Sequence, residues 1–193
     1  MQTELIRLKK AARRSIRQQI RMLDEKELEK SDEAIYNNLS ALPELTKAKR
    51  VFLYCSAGRE VDTHRLLALC LSRGQTAALP VTLPDGEMYF AACAPAALTA
   101  GRFFGILEPP ADAAPIEPAA GDVIVVPALT YDRQGYRLGQ GGGYYDRFLS
   151  RHSLYAVGVA RTSLLCDAVP RERHDMRVNC LVTEGGVFRF MGQ

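Results

Sequence analysis

The stretch VIVVPALTYDRQGYRLGQGGGYYDRFLSRHSLYAVGVA, residues 123–160, decides the fold of this chain. It opens with the unbroken apolar run 123–126, which is typical of a β-strand covered on both faces. A glycine-rich segment follows, then a helix predicted from about Tyr144 to Ser150, and a second apolar strand predicted at 156–160. Strands that alternate with helices predict an α/β fold whose sheet is mostly parallel.

The same alternation continues toward both ends of the chain. A short apolar run at 51–55 predicts a buried strand, and a helix should begin after Thr63 and end at Gly74. Residues 109–118 are rich in proline and alanine and predict a loop rather than a linker between domains, so we expect residues 1–193 to form a single domain. Further elements are predicted as strands at 77–81, 88–91 and 180–183, a helix at 31–42, and a hairpin arm at 187–190.

The first predicted helix, over residues 3–23, has one apolar and one basic face. Lys10 and Arg14 are four residues apart and therefore share a face, which Arg17 and Arg21 continue. Such a face is most often simply solvated, but it could also clamp phosphate groups or bind nucleic acid. The lack of interleaved aromatic residues argues against nucleic acid.

Composition excludes several classes of protein. Of the 193 residues, 47% are hydrophobic and 24% are charged, which excludes a chain that is disordered as a whole. The net charge of +3 is too small to indicate nucleic-acid binding by itself. The five cysteines include no CxxC pair, so we expect a reducing cytoplasm and neither a disulfide framework nor a zinc knuckle. We expect no signal peptide, because the N-terminal residues lack an apolar h-region, and the sequence has no run of eighteen apolar residues.

The glycine-rich segment predicts a site for phosphate. Four of the five residues 139–143 are glycine, and a helix begins directly after them. Such a loop can approach an anion closely and present backbone N–H groups to it at a helix N-terminus. The P-loop pattern is excluded because no Lys-Ser or Lys-Thr follows, and GxGxxG is excluded because Tyr144 stands at the third glycine position. The competing interpretation is a flexible surface loop.

Three carboxylates are candidates for ligand binding. Asp146 lies in the first turn of the helix after the glycines, where it would repel a polyphosphate unless a divalent cation such as Mg²⁺ bridged the two. Asp175 is a second candidate, although on its own it would more often be a solvated loop acid or a turn residue. Glu60 follows the first strand, at the end where α/β sheets bind ligands, and could accept hydrogen bonds from a ring that carries N–H groups. It could equally be a surface acid near a helix start.

Taken together, these residues resemble the 5-formyltetrahydrofolate cyclo-ligases, also called 5,10-methenyltetrahydrofolate synthetases. The motifs that carry the resemblance are Val126-Pro127-Ala128, Asp132-Arg133-Gln134-Gly135 and the long run 137–147, RLGQGGGYYDR. Supporting matches are Lys10 to Arg14, Glu60-Val61-Asp62-Thr63, Phe104-Gly105-Ile106-Leu107-Glu108-Pro109 and His174-Asp175. The resemblance spans nearly the whole chain, and it implies a three-layer, Rossmann-like α/β fold with helices on both faces of a mostly parallel, twisted sheet.

The resemblance also implies a reaction. It is the ATP- and Mg²⁺-dependent cyclisation of 5-formyltetrahydrofolate to 5,10-methenyltetrahydrofolate, with release of ADP and phosphate. The formyl oxygen would first be phosphorylated, giving an imidate phosphate intermediate. Phosphoryl transfer needs positioning and charge neutralisation more than a covalent nucleophile, and this fits a sequence with glycines, basic residues and acids but no catalytic triad. The alternative is a regulator on the same scaffold that binds nucleotide or folate without turnover.

The resemblance assigns roles residue by residue. The implied ATP contacts are Lys10, Arg14, Arg137, Leu138, Gly139, Gln140, Gly141, Gly142, Gly143, Tyr144 and Tyr145. The implied folate contacts are Glu60, Gln140, Gly141, Gly142, Gly143 and Tyr144. The implied Mg²⁺ ligands are Asp146 and Asp175, and the expected catalytic residues are Arg137, Tyr144 and Lys10.

Three positions depart from the family pattern. Arg13 stands where an aliphatic residue is usual before Arg14, Thr130-Tyr131 replaces a small residue followed by Phe, and Asn179 replaces a commonly acidic residue. None of them removes a residue assigned above. We expect a cytoplasmic monomer whose partners are two small-molecule substrates, 5-formyltetrahydrofolate and ATP, and which binds neither nucleic acid nor a membrane.

Overall fold

The protein is described by a computed structural model over residues 2–92, 94–101 and 106–190. Five helices are found there: α1 (Gln2–Met22), α2 (Glu25–Ser40), α3 (Pro43–Lys47), α4 (His64–Ser72) and α5 (Tyr144–Arg151). The strands of the main sheet are β1 (Arg50–Phe52), β2 (Thr76–Thr82), β3 (Met88–Ala92), β6 (Val123–Val126), β9 (Tyr155–Val159), β10 (Cys180–Thr183) and β11 (Gly186–Arg189). Two short hairpins join β4 (Thr99–Ala100) to β5 (Leu107–Glu108) and β7 (Thr130–Tyr131) to β8 (Arg137–Leu138).

The main sheet has seven strands in the order β11-β10-β9-β6-β1-β2-β3. Its five central strands are parallel, and the two edge strands β3 and β11 each run antiparallel to their neighbour. The predicted α/β fold with a mostly parallel sheet is therefore confirmed. Both edges come from hairpin returns, which need no helical crossover.

Both faces of the sheet are covered, as expected for three layers. Val123 and Val125 of β6 pack on one face against the apolar side chains of α2, α3 and α4. Ile124 and Val126, which alternate with them, pack on the other face with Phe148 of α5. Because successive side chains of a strand point to opposite faces, a strand covered on both sides must be apolar throughout. That is why β6 carries no polar residue.

The helix bounds differ most from the sequence prediction at α2. This helix begins at Glu25 rather than at residue 31, because Asp24 caps it. The Asp24 side chain accepts from the N–H of Lys26, and Glu27 reaches back to the N–H of Asp24, which forms a capping box. The Asp-x-x-Glu pattern was present in the sequence but lies before the first apolar residue of the helix.

The parallel strands place the candidate residues at one edge of the sheet. β1 and β6 are parallel neighbours, so the segments that follow them leave from the same edge. After β1 the chain leads to Glu60, and after β6 it leads through the β7–β8 hairpin to the glycines. Phe104 and Gly105, which belong to one of the supporting matches, lie outside the described residues, as does Cys93. In the described part of the chain, no helix is both long enough and apolar enough to cross a membrane.

Candidate functional site

The glycine loop, residues 139–143, connects β8 directly to the N-terminus of α5. Gly141 has φ 109° and Gly143, at the N-cap of α5, has φ 71°, both in the left-handed region where residues with a Cβ are disfavoured. Residues 140–142 are exposed. The first turn of a helix leaves backbone N–H groups without intrahelical acceptors, so this loop presents an accessible set of donors to an anion.

Helix α1 lies against the glycine loop through two arginines. The Nε of Arg13 donates to the carbonyl oxygen of Gly139 at 2.9 Å, and Arg17 Nη2 donates to Gln140 Oε1 at 2.6 Å. The Arg13 guanidinium is also the nearest group to the Cα of Gly141, since a Cβ built there would lie 3.3 Å from its Cζ. Two positive charges therefore flank the donors of the loop.

The residues of α1 that contact the loop are shifted by one position from the predicted ones. Lys10 and Arg14, the predicted ATP contacts, are exposed and form no hydrogen bond or ion pair with any described residue. Arg13 contacts the glycine loop and Lys9 contacts Asp175 instead, because neighbouring residues of a helix lie about 100° apart around its axis. The roles assigned to Lys10 and Arg14 remain predictions.

Lys9 links α1 to a pair of carboxylates. Its Nζ lies 2.9 Å from Glu172 Oε2 and 2.8 Å from Asp175 Oδ2. Burial by itself would lower the pKa of Lys9, but the hydrogen bonds and charges of Asp175 and Glu172 outweigh it and raise the pKa. Ligand atoms of Glu172, His174 and Asp175 all lie within 4.8 Å of one another, which is close enough to hold one metal ion. The carboxylate oxygens of this group are the donors that Mg²⁺ prefers.

Asp146 is held by a buried arginine and by the chain next to Asp175. Its Oδ1 accepts from Arg137 Nη2 at 2.7 Å and from the backbone N–H of Met176 at 2.9 Å. Arg137 Nη1 also donates to the carbonyl oxygen of Met176 at 2.6 Å. Since Met176 follows Asp175 directly, these bonds hold Asp146 beside the chain at Asp175, but Asp146 lies outside the group of ligand atoms within 4.8 Å of one another. The side chain of Arg137 is only 4% exposed, so the structure shows it orienting Asp146; the predicted catalytic role of Arg137 is untested.

Glu60 lies on the segment between β1 and α4. Its Oε2 accepts from the N–H of Ala57 at 3.0 Å. Burial raises the pKa of the Glu60 carboxyl, and the hydrogen bond from Ala57 offsets part of that rise. Burial raises the pKa of the Tyr145 phenol, and the charge of Glu60 raises it further.

Comparison with known proteins shows to which family the chain belongs. The sequence model of the 5-formyltetrahydrofolate cyclo-ligase family matches residues 6–184. The chain belongs to this family. A 5-formyltetrahydrofolate cyclo-ligase of Mycolicibacterium smegmatis is 34% identical over 92% of this chain and 94% of its own length. One from Escherichia coli is 29% identical over 91% of this chain and its whole length.

Solved structures agree with the family. The NMR structure of Aquifex aeolicus 5,10-methenyltetrahydrofolate synthetase superposes with a TM-score of 0.82 at 36% identity, covering 96% of this chain and 94% of that one. The synthetase structure from Mycoplasma pneumoniae, at 23% identity and a TM-score of 0.74, covers 91% of this chain and 98% of its own and shares the fold. The predicted family, fold class and enzyme class are thus confirmed.

The other two family departures have structural roles in the described chain. Thr130 Oγ1 donates to the carbonyl oxygen of Leu164 at 2.5 Å, and the buried Tyr131 donates to the carbonyl oxygen of Val126 at 2.8 Å. Asn179 Oδ1 accepts from the N–H of Ala156 at 2.7 Å and so joins β9 to the start of β10. In each of these contacts the side chain bonds to the backbone of the protein itself.

Sequence reasoning missed one residue that supports the loop and one that adds to the acidic group. Arg147 donates to the carbonyl oxygens of Gly86, at 2.8 Å from Nη2, and of Gly142, which braces the glycine loop against the turn before β3. Glu172 shares Lys9 with Asp175. Arg147 ends the run 137–147, but its bond to Gly86 joins residues 61 positions apart, and the bond between Lys9 and Glu172 joins residues 163 positions apart. No local pattern predicts these two contacts.

Proposed function

We propose that this protein catalyses the ATP- and Mg²⁺-dependent cyclisation of 5-formyltetrahydrofolate to 5,10-methenyltetrahydrofolate, with release of ADP and phosphate. Family membership supports the ring closure and the folate and ATP substrates. The observation that carries the use of ATP is the glycine loop at the start of α5, flanked by Arg13 and Arg17 and lying beside the carboxylates of Asp146 and Asp175.

The chemistry explains why a phosphate site and a folate site must be adjacent. The formyl oxygen is a poor leaving group, because its departure would require loss of an oxide or hydroxide. Transfer of the γ-phosphoryl group to this oxygen converts it into a phosphate ester of the imidate. N10 then attacks the activated carbon and releases its proton to water, the C–O bond breaks, and inorganic phosphate leaves with the electron pair. The protein has to align the two substrates and neutralise charge on the transferred group.

The positive charges of α1 are suited to that neutralisation. In the proposed complex, the N–H groups of residues 139–143 bind phosphate oxygens, and Arg13 binds the same triphosphate. Lys9, now held by Asp175, is close enough to contribute once a metal ion takes over part of the carboxylate charge. Tyr144 folds over the loop, since a Cβ at Gly142 would lie 2.5 Å from its ring, and is placed to contact either substrate.

The acidic group fits Mg²⁺ through its oxygen donors. Asp175 and Glu172 would hold the ion with Asp146 nearby. Asp175 Oδ2 accepts from the N–H of Glu172, and Asp146 Oδ1 accepts from the N–H of Met176. A bound Mg²⁺ would neutralise phosphate charge during transfer. Glu60, whose Oε1 accepts no hydrogen bond from any described residue, is the proposed acceptor for the N–H groups of the pterin ring. The single domain, the monomeric state, the cytoplasmic location and the absence of nucleic-acid binding remain predictions.

The direct test is the absorbance of 5,10-methenyltetrahydrofolate formed by the purified protein from 5-formyltetrahydrofolate, ATP and Mg²⁺. Product should form only when all three are present and should stop when EDTA removes the metal. Folate binding by calorimetry without any product would instead support the non-catalytic regulator.

A matched pair of variants tests the ATP site. Arg13→Gln should raise the KM for ATP by about tenfold or more, as expected for loss of a charge-assisted contact. Arg14→Gln, which removes the same charge from the exposed face of the same helix, should leave it nearly unchanged. The reverse order of effects would return the ATP contact to the face that carries Arg14.

A further inference from the structure

Arg161 is a buried cation outside the phosphate site. It follows β9, and its side chain is only 4% exposed. Its Nε donates to Ser31 Oγ at 2.8 Å, and its Nη2 donates to Asp32 Oδ1 at 2.5 Å, so it is paired with the buried face of α2. A buried charge costs free energy unless it is fully paired, and pairing with one carboxylate and one hydroxyl uses only part of the five N–H groups of a guanidinium.

The remaining donors of Arg161 reach the segment that carries Glu60. Nη1 donates to the carbonyl oxygen of Arg59 at 3.0 Å, and Nη2 makes a longer bond of 3.5 Å to the carbonyl oxygen of Glu60 itself. One guanidinium therefore ties two successive peptide groups to Asp32 of α2. Because a guanidinium is planar and rigid, it fixes the direction of these peptide groups as well as their distance.

Other contacts hold the same segment from different sides. The side chain of Arg59 donates to the carbonyl oxygen of Ile20 at 3.1 Å and to that of Leu23, at the end of α1. Tyr54 donates to the carbonyl oxygen of Val61 at 2.7 Å. These bonds hold the residues on either side of Glu60, and Arg161 holds the carbonyl oxygens of Arg59 and Glu60.

We propose that Arg161 is a positioning residue for folate recognition, which acts by holding the backbone of Glu60 so that its carboxylate points at the pterin ring. This proposal rests on the proposed function, in which Glu60 binds the folate. Arg161 makes no hydrogen bond to the glycine loop within the described residues, so its effect should be confined to the folate. A misplaced acceptor weakens binding without changing the chemistry of phosphoryl transfer.

The test compares Arg161→Lys with the wild type. Lysine keeps the charge beside Asp32 but cannot bond two carbonyls in a fixed plane. We expect the KM and the calorimetric Kd for 5-formyltetrahydrofolate to rise about tenfold, with kcat and the KM for ATP changed less than about twofold. Arg65→Lys is the matched control, because Arg65 also joins a second element to α2, through the exposed Glu33, and does not touch residues 59–60.

A double variant separates positioning from general loosening of the fold. If Arg161 acts through Glu60, Arg161→Lys should add nothing to the folate KM of a Glu60→Gln protein. If Arg161→Lys does not fold, Ser31→Ala removes the Nε acceptor, together with the bond from Ser31 Oγ to the carbonyl oxygen of Leu28 within α2, and should give a smaller rise in the same direction.

Two outcomes overturn the positioning role. The first is a folate Kd that is unchanged in every folded Arg161 or Ser31 variant, although Glu60→Gln raises it. That result would overturn the positioning role and leave the proposed function intact. The other is an effect of Arg161→Lys that is equal with and without Glu60. A wild-type protein that binds no folate in calorimetry would overturn both the positioning role and the proposed function.

Discussion

Replacing Asp146 by asparagine should destabilise the fold as well as impair catalysis. Asp146 lies 2.7 Å from Arg137, whose side chain is 4% exposed, while its own side chain is 24% exposed. At an effective dielectric constant of about 20, the attraction at this distance is about 6 kcal/mol, most of which offsets desolvation. Breaking a fully buried pair costs about 3–5 kcal/mol. Because Asp146 keeps some contact with water and asparagine keeps one acceptor, we expect a loss of about 2–3 kcal/mol.

Urea denaturation measures this loss. With a slope of about 2 kcal/mol per molar urea, the midpoint should fall by about 1 M. The matched control is Asp167→Asn, because Asp167 pairs with Arg133 at 3.1 Å but both side chains are exposed, at 92% and 82%. That change should leave the midpoint within experimental error. A double-mutant cycle of Asp146→Asn with Arg137→Gln should show strong coupling, and coupling below about 0.5 kcal/mol would refute the reasoning.

Three further predictions concern the metal, the loop support and the pterin acid. Glu172→Gln should raise the Mg²⁺ concentration for half-maximal turnover about tenfold, whereas the exposed Glu117→Gln should not. Gly86→Ala should lower the melting temperature, measured by thermal denaturation, more than Gly121→Ala. Both glycines have positive φ, so alanine costs about 1–2 kcal/mol at either position. Only at Gly86 would the added methyl group overlap the guanidinium of Arg147, which braces the glycine loop. Glu60→Gln should raise the folate KM yet stabilise the fold near pH 7, because burial raises the pKa of the Glu60 carboxyl and its ionisation then costs stability. The gain in urea midpoint should vanish below about pH 4, where the unfolded carboxyl is also protonated; a gain that persists there contradicts a charge effect.

The sequence predicted the two parts of the site that depend on local order. The glycines 139–143 followed by Tyr144 indicated a loop that opens a helix, and the loop and α5 are found at these residues. Glu60 was expected beyond an apolar strand at the carboxyl edge of a parallel sheet, and the strand before it, β1, does pair in parallel with β6. The order of loop and helix, and of strand and Glu60, is a property of a short stretch of sequence, whereas the pairing of β1 with β6 joins distant residues such as Val51 and Val123.

The orientation of the basic helix α1 could not be predicted from the sequence. The stripe through Lys9 and Arg13 and the stripe through Lys10 and Arg14 have the same charge and the same spacing. Helical periodicity defines each stripe but does not say which one faces the protein. Only the packing of α1 against the glycine loop distinguishes them, and it selects Lys9 and Arg13.

By itself, then, the sequence determined the α/β class and the family resemblance, and it led to the prediction that residues 139–143 bind phosphate, because periodicity, glycine content and residue order are properties of the chain. Only the tertiary structure decided that Arg137 would be buried against Asp146 and that Arg161 would hold the backbone at Glu60. These pairs join residues that lie 9 and 101 positions apart. A charged side chain has many possible partners at such separations, and the cost of burying it unpaired selects among them only after the core has packed.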